Sequence, residues 1–374
     1  REILIRVRTE GDKALLQYNR QYDGAETDDL KVPDDEISRS EKFIPDDLKK
    51  AIAVAVSNIE KFHCSQLIVE NPVEIQNGVT CWRKSVPVGR AGLYVPGGTA
   101  PLFSTVLMLA VPARIAGCRE VIMCTPPGKN GLINPLILYA AKISGVSSVF
   151  KVGGAQAIAA MAYGTETIPK ADKIFGPGNQ YVTKAKEMVQ LDGIPIDMPA
   201  GPSEVLVIAD DSAEPSFVAS DLIAQAEHGI DSQVVLVSTS TRLLMEVRDE
   251  IDRQLFLLPR RAIAEKALET SMLISFGSVE QCITFSNHYA PEHLIIAVSD
   301  PASAAERVIN AGSVFLGKYS CESAGDYATG TNHTLPTNGF AKSYSGVSTE
   351  SFMKKITFQE VTAAGIKILG PVIE

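Results

Sequence analysis

The sequence predicts an α/β protein built from two Rossmann-like domains, each a parallel sheet covered by helices on both faces. Between about residues 90 and 200, β-rich runs at 121–124, 148–152 and 173–175 alternate with helical runs at 134–144, 156–162 and 180–191. A second alternating set covers residues 204–255. This β-α-β-α order is typical of parallel sheets. Residues 350–374 predict a helical extension with no core of its own.

The length of 374 residues favours two or three domains. We expect a discontinuous first domain, made of residues 1–93 and 203–348, and a second domain of residues 94–202. Residues 349–374 would begin a C-terminal helical extension that stops short. In the first domain, residues 3–18 predict two short helices broken at Gly11, residues 45–62 predict a longer helix, and residues 73–88 alternate like strands.

Composition excludes several classes of protein. Acidic residues outnumber basic ones by 44 to 35, giving a net charge of -9, and no Lys/Arg run forms a basic face, so we expect no nucleic-acid partner. The apolar run at 102–115 falls short of the ~18 residues that a membrane span needs, and it contains Pro112. The six cysteines include no C-x-x-C pair, which favours a reducing, cytoplasmic compartment over a disulfide framework.

Three glycine-rich turns mark the predicted second domain, at residues 94–98 (YVPGG), 152–154 (VGG) and 175–179 (FGPGN). Glycine lets the backbone approach a ligand closely, and the helix that follows offers free N–H groups to an anion. None of the turns matches G-x-G-x-x-G, the usual dinucleotide fingerprint. The turns leave two interpretations open, a purely structural role and a nucleotide or phosphate site.

Polar residues in the second half suggest a catalytic metal site. Gln225 and His228 lie three apart on one predicted helix face, where they suit two metal ligands or one ligand and one substrate contact; a histidine favoured by the helix dipole is the alternative. Glu292 and His293 are adjacent and suit an acid–base pair, or simply an exposed polar turn. Asp326 lies in a run of small polar residues, and a Gln, His and Asp set favours Zn²⁺ or Mn²⁺.

Taken together, seven segments resemble the L-histidinol dehydrogenase family, in that family's order, from about Glu10 to Phe358: GRAGLYVPGG, KVGGAQAIAAMAYGT, FGPGNQYVTKAK, DMPAGPSEVLVIAD, DLIAQAEHG, NHYAPEHL and GSVFLGKYSCESAGDYATGTNHTLPT. The resemblance implies an aldehyde-dehydrogenase-like fold and oxidation of L-histidinol, through L-histidinaldehyde, to L-histidine. It further implies two NAD⁺ and one zinc ion per active site, with the metal and catalytic site in the first domain and NAD in the second.

Carried over residue by residue, the resemblance implies three groups of site residues. Zinc would be bound by Gln225, His228 and Asp326, which also contact substrate together with Ser203 and His293. NAD would contact Tyr94, Gln156 and Asn179, and His333 would line the pocket. His293 would take the hydroxyl proton and Glu292 would activate water for the second oxidation, while zinc would act mainly as a template for the substrate.

The resemblance also implies a homodimer in which a C-terminal tail, carrying a Glu and then a His in an L-x-A-H pattern, completes the partner's site. This sequence ends at Glu374 before such a motif, and we therefore expect weakened zinc and substrate binding in the 374-residue form. Two alternatives stay open at this point. One is an aldehyde-dehydrogenase-like enzyme with a cysteine nucleophile, for which Cys321 is the nearest candidate, and the other is an inactive metal-binding paralogue.

Overall fold

A computed structural model describes residues 1–97, 101–199 and 201–374, so Gly98 of the predicted 94–98 turn lies outside the described residues. The N-terminal part contains four helices: α1 (Glu2–Glu10), α2 (Asp12–Tyr18), α3 (Asp34–Arg39) and α4 (Asp46–Cys64). Gly11, with φ at 56°, separates α1 from α2, as the sequence predicts. An antiparallel pair follows, β1 (Val73–Gln76) and β2 (Val79–Pro87).

The first parallel sheet has strand order β5-β4-β3-β6 among the described residues. Its elements alternate along the chain: β3 (Arg90–Tyr94), α5 (Phe103–Ala116), β4 (Glu120–Thr125), α6 (Pro135–Ser144), β5 (Ser148–Lys151), α7 (Gly154–Tyr163), β6 (Lys173–Phe175) and α8 (Gln180–Leu191). Alternate side chains of β4 enter different cores, because successive residues of a strand point to opposite faces. Val121 and Met123 join one apolar cluster, while Ile122 and Cys124 join the other.

The second parallel sheet has strand order β11-β10-β7-β8-β9. Its elements are β7 (Glu204–Ala209), α9 (Pro215–Ala226), β8 (Gln233–Ser238), α10 (Thr241–Leu255), α11 (Arg261–Leu268), β9 (Met272–Ser275), α12 (Val279–Tyr289), β10 (His293–Ala297), α13 (Pro301–Ala305), β11 (Ser313–Leu316) and α14 (Glu322–Tyr327). Val205 and Val207 face a core shared with α9, α10 and α11. Leu206 and Ile208 face the opposite core, shared with α12 and α13.

The N-terminal helices pack against α5, α6 and α7, the helices of the first sheet, whereas we expected residues 1–93 to fold with residues 203–348. Leu4 and Leu15 belong to the core that contains α7, and Ile52 belongs to the core that contains α5. β3 is itself a strand of the first sheet. These contacts differ from the expected grouping, because an amphipathic pattern shows that a helix buries one face but not which element covers it. The helix α4 also contacts the later segment, where Asn58 Nδ2 donates to the Ala328 carbonyl at 2.8 Å. The division near residue 203 stays a prediction.

The C-terminal residues form a strand before they form the predicted helix. β12 (Met353–Val361) pairs with β2 over nine residues in antiparallel register, and α15 (Ala363–Ile373) follows. The helical end of the chain is thus confirmed, but the prediction missed β12, because its partner lies some 270 residues away along the chain. Just before β12, Phe352 stacks on Phe175 with ring centroids 4.0 Å apart, which joins this segment to the first core.

In the part of the chain that the structure describes, no helix has the length and apolar character needed to cross a membrane. The apolar run at 102–115 forms α5, which is buried almost throughout. All six cysteines are described and none forms a disulfide, as predicted.

The Phe175–Phe352 stack predicts a large loss of stability on truncation. Both rings are fully buried, so Phe352→Ala leaves a cavity and should lower the free energy of unfolding by about 3–5 kcal/mol. Urea unfolding followed by circular dichroism measures the loss. Phe256 is 75% exposed, and the matched variant Phe256→Ala should change stability by less than about 0.5 kcal/mol. Equal effects of the two variants would show that the stack does not anchor the C-terminal segment.

Candidate active site

A cleft of about 2010 Å³ lies between the two parallel sheets. The first sheet contributes the carboxyl ends of its strands. The second sheet contributes the amino ends of β7 and β10, two paired strands in which His293 lies opposite Val205. Eight of the nine predicted catalytic, metal, substrate and cofactor residues line the cleft, as does His333: Tyr94, Gln156, Asn179, Ser203, His228, Glu292, His293 and Asp326. Gln225 is fully buried at the end of α9.

Glu292 and His293 form a buried pair at the start of β10. His293 Nδ1 lies 3.7 Å from Glu292 Oε2 and donates a hydrogen bond to the main-chain carbonyl of Glu204 at 3.3 Å. The main-chain N–H of Glu204 donates to Glu292 Oε2 at 2.9 Å. Both side chains are therefore fixed by the backbone of one residue at the start of β7. His293 Nε2 has no hydrogen-bond partner among the described residues and lies 3.6 Å from Asp326 Oδ1.

Burial and charge set the protonation of this pair. Burial raises the pKa of Glu292 to about 7, because an ionised carboxylate loses solvation there. Burial opposes the charged imidazolium of His293, but the carboxylates of Glu292, Asp326 and Glu322 outweigh it and raise its pKa to about 10. With these charges around it, His293 carries a proton at neutral pH, while Glu292 titrates within the neutral range. A cation bound by Asp326 would weaken that carboxylate's pull on His293.

A candidate metal cluster joins the end of α9 to α14. His228, Glu322 and Asp326 each present one ligand atom, and these three atoms lie within 4.8 Å of one another. Burial favours neutral Asp326, yet the imidazoles of His293, His333 and His228 outweigh it and lower its pKa. His228 is exposed to the cleft, and partial desolvation by the surrounding protein lowers its pKa. Ionised carboxylate and neutral imidazole are the forms that bind metal.

Unpaired polar atoms show that this cluster fits a cation. Among the described residues, Gln225 Oε1 and Nε2, Glu322 Oε2 and Asp326 Oδ1 are all buried without a hydrogen-bond partner. Buried polar atoms are normally paired, since leaving one unsatisfied costs about 1–3 kcal/mol. Oxygen and imidazole-nitrogen donors suit Zn²⁺ or Mn²⁺. The structure brings His228 and Asp326 together, while direct coordination by Gln225 stays a prediction.

Glu322 is the residue of this cluster that the sequence analysis missed. The run of small polar residues around Asp326 begins as a helix, since α14 starts at Glu322 and carries Asp326 on its last turn. Residues four apart on a helix lie on the same face, so the ESAGD spacing was the signal available. Burial raises the pKa of Glu322 to about 8, and its main-chain N–H donates to Asp221 of α9 at 3.4 Å, which links the two ligand-bearing helices.

The opposite wall carries the predicted cofactor residues. The hydroxyl of buried Tyr94, at the end of β3, accepts a hydrogen bond from the Gly154 N–H at 3.1 Å. Gln156 is buried in the first turn of α7. The side-chain oxygen of Asn179 caps α8, so its amide N–H₂ is the hydrogen-bonding group left for a ligand. Glycine-rich turns before helix N-termini, at the carboxyl ends of parallel strands, suit the phosphates of a dinucleotide.

The remaining predicted residues occupy different positions relative to the cleft. Ser203 lines it just before β7. His333 lines it too, and its Nδ1–H donates to the Asp326 carbonyl at 3.0 Å, which steadies the turn after α14. Cys321, the alternative nucleophile, caps α14 and is exposed, but it is not among the described residues that line the cleft.

Comparison with known proteins agrees with this geometry. The family model described as histidinol dehydrogenase matches residues 1–374. Histidinol dehydrogenase from Bacteroides thetaiotaomicron is 60% identical over all of this chain and 87% of its own length, and that from Escherichia coli is 52% identical over 100% and 86%. The solved structure of histidinol dehydrogenase from Elizabethkingia anophelis has a TM-score of 0.97 and 55% identity, covering 100% of this chain and 86% of that one.

A more distant likeness shows the fold alone. An aldehyde dehydrogenase from Pseudomonas aeruginosa has a TM-score of 0.54 and 16% identity, over 96% of this chain and 83% of that one. It confirms the predicted aldehyde-dehydrogenase-like arrangement of two parallel sheets. Because the family model and the relatives at 52–60% identity each cover the whole chain, this protein belongs to the histidinol dehydrogenase family of NAD-dependent oxidoreductases.

Proposed function

We propose that the chain oxidises L-histidinol to L-histidine through L-histidinaldehyde, in two NAD⁺-linked steps at the cleft between the sheets. The observation that carries this proposal is the buried Glu292–His293 pair, which lies beside the carboxylate of Asp326, with the histidine Nε2 at 3.6 Å from Asp326 Oδ1. The glycine-rich turns line the same cleft. An acid–base pair, a metal-ligand cluster and a dinucleotide wall are what oxidation of an amino alcohol requires.

His293 serves as the proton acceptor in both oxidations. Its Nδ1–H is committed to the Glu204 carbonyl, so Nε2 is the nitrogen that exchanges a proton with the substrate, once a cation on Asp326 has offset the carboxylate charge that keeps His293 protonated. Nε2 takes the proton of the substrate hydroxyl while hydride leaves the carbon that bears this hydroxyl, and the product is the aldehyde. In the second oxidation it takes a hydroxyl proton from the hydrated aldehyde in the same way, and this yields the acid. NAD⁺, when bound, supplies the hydride acceptor for each step.

Glu292 serves as the base that prepares the second oxidation. The aldehyde must first add water, and a carboxylate that takes one proton from this water makes it nucleophilic. Glu292 is held for this role by the Glu204 N–H at 2.9 Å. Burial brings its pKa to about 7, so it is a stronger base than an ordinary carboxylate and is ionised over a useful part of the neutral range.

We further propose that His228 and Asp326, with Gln225, bind zinc. Two observations support this assignment. Buried polar atoms of Gln225 and Asp326 have no hydrogen-bond partner among the described residues, and the ligand atoms of His228 and Asp326 lie within 4.8 Å of each other. These residues would hold the zinc ion, which would supply a positively charged template for the amino alcohol. His228 and Asp326 also contact the substrate in this proposal, as does Ser203. The expected homodimer, with a partner-chain tail at the site, stays a prediction.

A direct assay tests the proposed reaction. With L-histidinol, excess NAD⁺ and Zn²⁺, we expect two NADH for each histidinol consumed, measured by absorbance at the NADH band. One NADH per histidinol, with aldehyde released, would contradict the two-step reaction. No NADH at all would favour an inactive paralogue. Loss of activity on cysteine alkylation but not on chelation would favour the cysteine-dependent alternative through Cys321.

Removing one ligand tests the metal assignment. Outer-shell changes alone weaken metal binding by about 10–100-fold, so His228→Asn should weaken zinc binding by at least ~100-fold, measured by competition with a chromogenic chelator. His288 is exposed on α12, with its Nδ1 bound to the Thr284 carbonyl. The matched variant His288→Asn should therefore bind zinc like the parent protein. Parental affinity in His228→Asn would exclude the proposed site.

Glu292→Gln tests the division of labour between the catalytic residues. Glutamine keeps an acceptor for the Glu204 N–H but cannot take a proton, so oxidation of added L-histidinaldehyde should slow by about 10²–10⁴-fold. The first hydride transfer from L-histidinol should change by less than about tenfold. Rapid-mixing measurements of NADH formation separate the two steps. Glu280→Gln, at an exposed position of α12, is the matched control, and equal slowing of both steps would contradict the proposed role.

The pH dependence follows from the same carboxyl. Because burial raises the pKa of Glu292 to about 7, the carboxylate is present above this pH and is lost as the pH falls through it. Aldehyde oxidation should therefore decline about tenfold per pH unit below about 7. This decline at low pH should be missing from the pH profile of Glu292→Gln. If the decline persists unchanged in the variant, another group is responsible for it.

A further inference from the structure

A buried ion pair lies behind the cofactor wall and takes no part in the chemistry proposed above. Lys186 Nζ of α8 lies 2.5 Å from Asp197 Oδ1, and the side chains are only 4% and 1% exposed. Removing two charges from water is costly, so a buried ion pair is poor evidence for stability and is better explained by the structure that it specifies.

Both members of the pair bind the backbone of one glycine. Lys186 Nζ donates to the Gly176 carbonyl at 2.8 Å, and the Gly176 N–H donates to Asp197 Oδ2 at 2.7 Å. Asp197 Oδ1 also accepts the Met198 N–H at 2.7 Å. The peptide groups on the two sides of Gly176 are thus held by opposite charges, through charge-assisted hydrogen bonds that are stronger than neutral ones.

Gly176 needs such restraint because of where it lies. Its φ of +126° is a conformation that other residues rarely adopt, and a Cβ there would lie 2.1 Å from the Tyr94 carbonyl oxygen. The next three residues, Pro177, Gly178 and Asn179, line the cleft, and Asn179 caps α8. The shape of this turn therefore decides where the N-terminus of α8 meets a ligand.

We propose that Lys186 and Asp197 are positioning residues for NAD⁺: their ion pair holds the 176–179 turn in the conformation that receives the dinucleotide. This inference rests on the proposed placement of NAD⁺ at Asn179. The pair touches the backbone of the turn and lies behind it, so it acts on cofactor binding and not on the substrate or metal. Its loss should raise the KM for NAD⁺ and leave zinc binding unchanged.

The experiment compares variants that remove the charges without changing shape much. Asp197→Asn keeps an acceptor for the Gly176 N–H, and the double variant Lys186→Met/Asp197→Asn avoids leaving one buried charge unpaired. We expect each to raise the KM for NAD⁺ at least tenfold, with the KM for L-histidinol and the zinc affinity within twofold of the parent. Lys184→Met is the matched control, since Lys184 lies on the same helix, 71% exposed, paired only with Glu187; it should leave every constant unchanged.

Two further measurements separate the possible failures. Asn179→Ala should itself weaken NAD⁺ binding; if it does not, the placement of the cofactor is wrong. If Asn179→Ala weakens NAD⁺ binding but the ion-pair variants do not, only the positioning role is overturned. Should those variants fail to fold, hydrogen exchange on the parent enzyme decides. The pair predicts slow exchange of the Gly176 amide without NAD⁺, and exchange as fast as in exposed loops would overturn the proposal.

Discussion

The candidate site depends on one buried carboxylate, that of Asp326. Its Oδ1 lies 3.6 Å from His293 Nε2, its main-chain carbonyl accepts the His333 Nδ1–H, and its ligand oxygen lies within 4.8 Å of that of His228. These three imidazoles come from the start of β10, the turn after α14 and the residues after α9. A buried carboxylate is stable only when it is paired, so folding of these segments and assembly of the site are one event.

The charges around Asp326 explain the unusual protonation of its neighbours. Glu292 and Glu322 are also buried, and burial raises the pKa of both, to about 7 and about 8. Carboxylates this close cannot all be ionised unless positive charge joins them. His293 supplies part of it, and a divalent cation would supply the rest. Burial is thus the main cause of both raised pKa values, and the neighbouring carboxylates add to it.

Much of the fold could be predicted because its signals are local. The strand run at 173–175 and the helical run at 180–191 coincide with β6 and α8, and the second alternating set at 204–255 contains β7, α9, β8 and α10. What the sequence could not show depends on partners distant along the chain. β12 forms because β2 pairs with it, and α1–α4 pack onto α5, α6 and α7 because their apolar faces fit there.

The candidate site, too, contains residues that the sequence could predict and residues that it could not. The residues that line the cleft could be named from the family resemblance, since their motifs are long. Glu322 was missed because the run of small residues after Cys321 has the composition of a loop, and only folding shows a helix that brings Glu322 onto the face of Asp326. The Lys186–Asp197 pair carries no sequence signal at all, because nothing in the spacing of a Lys and an Asp shows that both are buried.

The first sheet faces this cleft with the carboxyl ends of its strands, and the second sheet faces it with the amino ends. The two ends offer different groups to a ligand. At the carboxyl ends of the first sheet, glycine turns and helix N-termini offer backbone N–H groups directly. At the amino ends of β7 and β10, the second sheet presents the side chains of Glu292 and His293. The main chain of Glu204 makes this possible, because its N–H and carbonyl bind Glu292 and His293. A fold shared with aldehyde dehydrogenases thus supports histidine–carboxylate chemistry through one residue's backbone at a strand end.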